Sequence, residues 1–227
     1  MNPIEKPHSL EHLREKPTEQ NPAELKWLAA QDRVAIKLIG EEFRDPVSGE
    51  SLVSEERLAK MRDKPSEFKT HEDLAKAYTE VTKGKTAPQG LEGFAQRLDN
   101  PAQVCSSHRE KTIEATLHER LHQAASPGGA SLFGHNAQEG ATEEGVTQAL
   151  TEKTLGFSSG TFYQKETEAA KKLIKEVGPS AVEKLYFKGD ASELNAALKE
   201  HAQHDARLEA FKKQNAANVE EPRKPQG

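Results

Sequence analysis

The chain has 227 residues, of which 34% are hydrophobic, 30% are charged and 5% are aromatic. Its formal net charge is −5 and its basic residues are scattered, which argues against nucleic acid as a partner, because phosphate binding needs clustered lysine and arginine. So polar a composition predicts that solvated tails flank a smaller folded core.

Targeting and redox features indicate the compartment. A single cysteine, Cys105, excludes an internal disulfide and fits a reducing environment. The N-terminal segment has no apolar region of the signal-peptide type, and no apolar run is long enough to span a membrane. We therefore expect a protein that is soluble and cytoplasmic as synthesised and has no membrane partner, with secretion by a signal-peptide-independent route left open.

Composition shifts divide the chain into four parts. Residues 1–21 and 215–227 are polar, contain proline and are predicted to be disordered tails. Residues 22–90 are predicted to be a helical N-terminal region, and residues 91–205 a folded core. The expected fold class is α+β and mainly α-helical.

Helix signals recur along both halves of the chain. In the N-terminal region Asn21 and Ser54 are expected to cap two helices, and a third begins at Thr70 or His71. Short strands are predicted at 93–98 and 102–105, on either side of a turn. Further helices are expected from about 109 to 125, 137 to 154, 161 to 177, 181 to 187 and 192 to 204.

The most informative motif lies in the 109–125 helix and reads His118-Glu119-Arg120-Leu121-His122, or H-E-x-x-H. Residues four apart share a helix face, so the two imidazoles can bind one metal ion. The intervening glutamate can then act as general base toward an activated water. Ile113, Leu117 and Leu121 recur every four residues and predict the buried stripe of this helix.

The next predicted helix carries Glu139-Gly140-Ala141-Thr142-Glu143. Two histidines leave a catalytic zinc short of protein ligands, and Glu139 can supply the third as a carboxylate. Glu143, one turn later on the same face, can accept the free N–H of a ligating histidine. A solvated acidic face remains the alternative for Glu143 and Glu144.

Together the two motifs resemble the gluzincins, the thermolysin-like clan of zincin metallopeptidases. The resemblance covers about residues 93–200 and implies a zincin-like fold with a short edge sheet and an active-site helix followed by a glutamate-bearing helix. It also implies that the folded core at residues 91–205 is zincin-like and catalytic. It assigns His118, His122 and Glu139 as ligands of Zn²⁺, with Glu119 as general base and Glu143 as support for a histidine. The implied substrate is a peptide or protein.

Other roles stay open at this stage. Tyr163 or His135 could stabilise the oxyanion, and each could equally be a surface or packing residue. Cys105 with His108 could suggest a thiol nucleophile, but a small strand residue is the better interpretation of Cys105. The protein could also be a helical interaction module with an inactive or structural zinc site, or a bacterial toxin or effector delivered into another cell.

Overall fold

A computed structural model describes residues 21–95, 98–106, 109–127, 129, 143–157 and 163–220. Within these residues the chain forms eight helices and one three-stranded sheet, which confirms a mainly helical α+β architecture. In chain order the elements are α1 (Pro22–Glu42), α2 (Glu55–Asp63), β1 (Glu67–Lys69), α3 (His71–Val81), β2 (Gly93–Phe94), β3 (Gln103–Cys105), α4 (Arg109–Ala124), α5 (Glu143–Leu155), α6 (Gln164–Val177), α7 (Pro179–Lys188) and α8 (Ser192–Glu220).

Side-chain caps set the starts of the first three helices, as the sequence predicts. Asn21 accepts a hydrogen bond from the backbone N–H of the second residue of α1. Ser54 and Thr70 each accept one from the third residue of α2 and α3, respectively. Each cap satisfies an amide that the helix itself leaves without a partner.

The sheet is small and has the order β1-β3-β2. β1 runs parallel to β3, and β2 runs antiparallel to it, so β2 forms one edge. The two predicted strands are therefore confirmed, but they are shorter than expected. β1 is missed by the sequence analysis because three residues with a single apolar side chain, Phe68, are too few for an alternating pattern.

The long central helix α4 is buried on more sides than an amphipathic stripe requires. Leu117 and Leu121 are buried as predicted, whereas Ile113 is half-buried. Thr116 and Arg120, on other faces, are fully buried as well. Neighbours on every side explain this, because α1, α2, α5 and the sheet all contact α4. The helix that carries the H-E-x-x-H motif is thus held by three helices and the sheet.

A buried ion pair fixes the position of α4. Arg120 is 0% exposed, and its Nε and Nη2 atoms donate to the two carboxylate oxygens of Asp32 on α1 at 2.8 and 2.7 Å. Asp32 also accepts from the hydroxyl and N–H of Ser66, which precedes β1. Arg120 further donates to Gln123 and to the carbonyl of Lys64. One guanidinium–carboxylate pair therefore joins α1, α4 and the start of the sheet.

The last helix is longer than predicted. α8 continues to Glu220 rather than ending near His204, because residues 205–220 contain neither glycine nor proline and are rich in good helix formers. The predicted tail at 215–227 thus overlaps the end of α8, and residues 221–227 lie outside the described residues. None of the helices described is long and apolar enough to cross a membrane.

Asp32→Ala tests the ion pair. It leaves Arg120 charged, buried and without its partner, and we expect it to lower the free energy of unfolding by about 3–5 kcal/mol. Urea titration followed by circular dichroism measures this loss. The control is Glu41→Ala, on the same helix, which removes an exposed i,i+4 pair with Lys37 and should change stability by less than about 0.5 kcal/mol. A small effect of Asp32→Ala would show that the pair is dispensable.

Candidate metal centre

Two imidazoles and one carboxylate converge between α4 and α5. His118 and His122 lie one turn apart on α4, and their Nε2 atoms are 3.1 Å apart. The Oε2 atom of Glu144, in the first turn of α5, is 3.1 Å from each of them. Glu144 therefore occupies the position of a third ligand.

The triangle of donor atoms fits a small divalent metal ion. A tetrahedral zinc ion with bonds of about 2.0–2.1 Å holds its donors about 3.3 Å apart, close to the 3.1 Å of this cluster. Two nitrogens and one oxygen are also the donor set that zinc accepts in catalytic sites. The residues present thus match zinc in both chemistry and spacing.

Hydrogen bonds on the outer side of the histidines orient both rings. Gln148 donates from Nε2 to Glu114 at 2.7 Å, so its Oε1 is left to accept from Nδ1 of His118 at 3.0 Å. Nδ1 of His122 donates to Glu143 at 3.1 Å. Both rings therefore donate from Nδ1, and both Nε2 atoms face the cluster, where each can bind a metal ion once it has given up its proton.

The surroundings favour positive charge. Burial lowers the pKa of His122, but hydrogen bonds to Glu143 and Glu144 outweigh this effect and raise the pKa to about 10. Burial raises the pKa of Glu144, yet its hydrogen bonds from His118 and His122 outweigh burial and hold that pKa well below its usual range. A cluster that draws in protons so strongly also attracts a divalent cation, which would replace them.

Glu119 lies beside the donors, against the edge strand. Its side chain accepts a hydrogen bond from the N–H of Ala95, and it packs on Gly93 of β2. A Cβ at Gly93 would lie only 2.8 Å from Cγ and 2.9 Å from Oε1 of Glu119, so the approach requires glycine. Burial raises the pKa of Glu119, although the histidines and the Ala95 N–H oppose the rise. A carboxylate with a raised pKa suits a general base.

Tyr163 lies over the first histidine at the start of α6. Its ring stacks on that of His118, with centroids 5.8 Å apart and planes 12° apart. Burial raises its pKa, and a hydrogen bond to Glu144 adds to the rise. Its φ of 47° is left-handed, a conformation that costs a non-glycine residue about 1 kcal/mol or more. The close packing of Gly145 on the backbone of Glu166 draws α6 onto α5 and holds Tyr163 there.

The cluster opens onto a cleft of about 890 Å³. Gly93, Glu119, His122, Glu144 and Tyr163 line it near the cluster. A smaller cavity of about 220 Å³ shares Gly93, Glu119 and Tyr163 with this cleft and is also lined by His118 and Gln148. A ligand in the cleft could thus reach both the metal-binding atoms and the candidate base.

The structure brings His118, Glu119, His122, Glu143 and Tyr163 together, whereas Glu139 and His135 lie outside the described residues. The sequence motifs assign no role to Gln148, and Glu144 is expected there only as part of a solvated acidic face. A signal for them exists, because the pattern E-G-x-T occurs twice in succession, as Glu139–Thr142 and as Glu144–Thr147. In the second copy the glutamate meets both histidines, and Gln148, four residues later, supports His118.

No protein-family model, no curated protein and no solved structure gives a significant match to this chain.

Glutamate-to-glutamine variants in the two E-G-x-T copies test which copy supplies the metal ligand. Glu144→Gln replaces a charged metal ligand by a weak neutral one and should weaken zinc binding by more than about 100-fold. Glu143→Gln keeps an oxygen that accepts from Nδ1 of His122 but loses the negative charge there, and it should cost about tenfold. Glu139→Gln is the matched control and should leave the affinity unchanged. Competition with a chromophoric chelator measures all three. Loss of zinc in Glu139→Gln but not in Glu144→Gln would assign the ligand to the first copy instead.

Proposed function

We propose that this protein is a zinc-dependent metallopeptidase of gluzincin type, with a zincin-like core. The observation that carries the proposal is the convergence of His118, His122 and Glu144 within 3.1 Å of one another, with the Glu119 carboxylate alongside. Neither the H-E-x-x-H motif nor the glutamate motif that follows it would by itself produce this convergence. It requires two separate helices, α4 and α5, to bring their side chains to one point.

Each residue of the centre has a role in peptide hydrolysis. Zinc, when bound, supplies a Lewis acid that polarises the scissile carbonyl and lowers the pKa of a water molecule. Glu119 accepts the proton of the attacking water and passes it to the leaving amine. Gln148 and Glu143 keep the Nε2 atoms of the histidines directed at the centre.

The cleft supports an extended peptide as substrate. β2 is an edge strand of the sheet and lies directly against the general base through Gly93. An extended chain that adds to this edge by main-chain hydrogen bonds places a peptide carbonyl beside Glu119. β2 has only two residues, so we expect the pairing to be short and most of the remaining contacts to come from the walls of the cleft.

Tyr163 is the candidate for oxyanion stabilisation. Its hydroxyl is a hydrogen-bond donor at the centre, and its raised pKa keeps the proton on the oxygen at neutral pH. In the described conformation that hydroxyl binds Glu144, so it has to turn toward the substrate carbonyl when a peptide is bound.

Glu119→Gln tests the mechanism directly. The amide keeps the size of the side chain but cannot accept a proton, so kcat should fall by about 10²–10⁴ or more while zinc content stays unchanged. Turnover of a mixed library of internally quenched peptides and metal analysis of the same samples provide the measurements. Glu56→Gln, which alters an exposed glutamate of the same cleft, is the control and should retain activity. An active Glu119→Gln protein would refute the mechanism, and a wild-type protein that holds zinc without any turnover would favour the structural-zinc module.

Tyr163→Phe tests the second role. Loss of a hydrogen bond made only in the transition state should lower kcat by about 10–10³-fold and leave KM nearly unchanged. The control is Tyr78→Phe, because Tyr78 lines the same cleft and packs edge-on against Phe94. An equal rise in KM with kcat preserved would instead indicate that Tyr163 only contacts the substrate.

A further inference from the structure

A second group of side chains that could hold a metal ion lies at the sheet and shares no residue with the candidate metal centre. His71 is the first residue of α3, Glu92 directly precedes β2, and Cys105 ends β3. One ligand atom from each lies within 4.8 Å of the other two. The three residues are distant in the sequence, and only the folded sheet brings them together.

Glu92 is the unusual member of this group. Its side chain is 10% exposed, so its carboxylate has lost most of its water. Its contacts with described residues are long: Oε2 is 3.6 Å from Nε2 of His71, and Oε1 is 3.5 Å from Nζ of Lys111. A buried carboxylate needs close partners to offset its desolvation, and a cation bound at Oε2 would provide one.

We propose that His71, Glu92 and Cys105 form a second zinc site, which links the edge of the sheet to α3. A thiolate, an imidazole and a carboxylate are all zinc ligands, and the thiolate selects against magnesium and calcium. The thiolate and the carboxylate together balance the charge of the dication. Cys105 is buried and held in β3, whereas His71 is half-exposed at a helix start. Rotation of the His71 side chain can therefore bring its imidazole to the distance that zinc coordination requires. A water molecule on the exposed side of His71 completes four-coordination.

A metal ion at this site would hold β2, which forms part of the wall of the cleft, in a fixed position. The N–H of Cys105 already donates to the carbonyl of Glu92 at 2.7 Å, and the ion would add a link from both residues to α3. The next residue, Gly93, is the one that packs against Glu119. Zinc at the second site therefore holds the edge strand in register with the general base without touching the substrate.

The single thiol of the chain makes the test specific. Full-length protein stripped with a chelator is titrated with Co²⁺, and the thiolate-to-cobalt charge-transfer band in the near ultraviolet is recorded. Only Cys105 can produce that band. We expect it in the wild type and in His122→Ala, whose candidate metal centre is impaired, and we expect two equivalents of zinc in the wild type. Absence of the band in well-folded wild-type protein would overturn the proposal, whatever the fate of the peptidase hypothesis.

Ligand variants give a second measurement. Cys105→Ser should abolish the band and remove one equivalent of zinc. His71→Ala, an exposed position that leaves the core untouched, should weaken zinc binding at this site by about tenfold or more and lower the Tm of the zinc-loaded protein. His204→Ala, which removes an exposed imidazole from α8, is the control and should leave both unchanged. Unaltered zinc binding in His71→Ala would also refute the site.

Discussion

The pairing of Arg120 with Asp32 constrains everything that α4 carries. Arg120 stands between the two histidines of the motif in sequence but points to the opposite side of the helix, where Asp32 holds it in a fixed rotation. Because a helix is stiff, fixing that face also fixes the face with His118 and His122. Burying Arg120 costs desolvation free energy, and the resulting ion pair fixes the direction in which the two imidazoles point. Leucine packing alone would tolerate small rotations of α4, whereas a two-pronged hydrogen bond does not.

The other side of the centre depends on two close approaches that only glycine permits. Gly93 lets the edge strand touch Glu119, and Gly145 lets α6 reach the backbone of α5 next to Glu144. The first sets the position of the Glu119 carboxylate, and the second brings Tyr163 over His118. The chemistry of the centre therefore rests on residues that have no functional groups of their own. Substituting Gly93 would displace the side chain of Glu119, and substituting Gly145 would displace that of Tyr163, without removing either.

The sequence predicts well those features that depend on a few neighbouring residues, and poorly those that depend on contacts between distant segments. Helix starts at Asn21, Ser54 and Thr70 follow from a single side chain each, and the structure has all three. The H-E-x-x-H helix likewise follows from its own periodicity. β1 cannot be predicted from its own residues, because its stability comes from parallel pairing with β3. Likewise, the choice between the glutamates of two adjacent E-G-x-T copies depends on where α5 meets α4, which no local pattern encodes.

The doubled E-G-x-T sequence has a geometric consequence for any metal site built on it. Five residues along an α-helix correspond to a rotation of about 500°, which leaves equivalent positions of the two copies about 140° apart around the axis. If one continuous helix ran through both copies, Glu139 and Glu144 would face different directions, and only one of them could meet His118 and His122. In that geometry only one copy at a time could supply a ligand. Deleting residues 139–143, one five-residue period, would leave the copy Glu144–Thr147 behind the histidines, so this segment could lose five residues and still offer the centre a ligand.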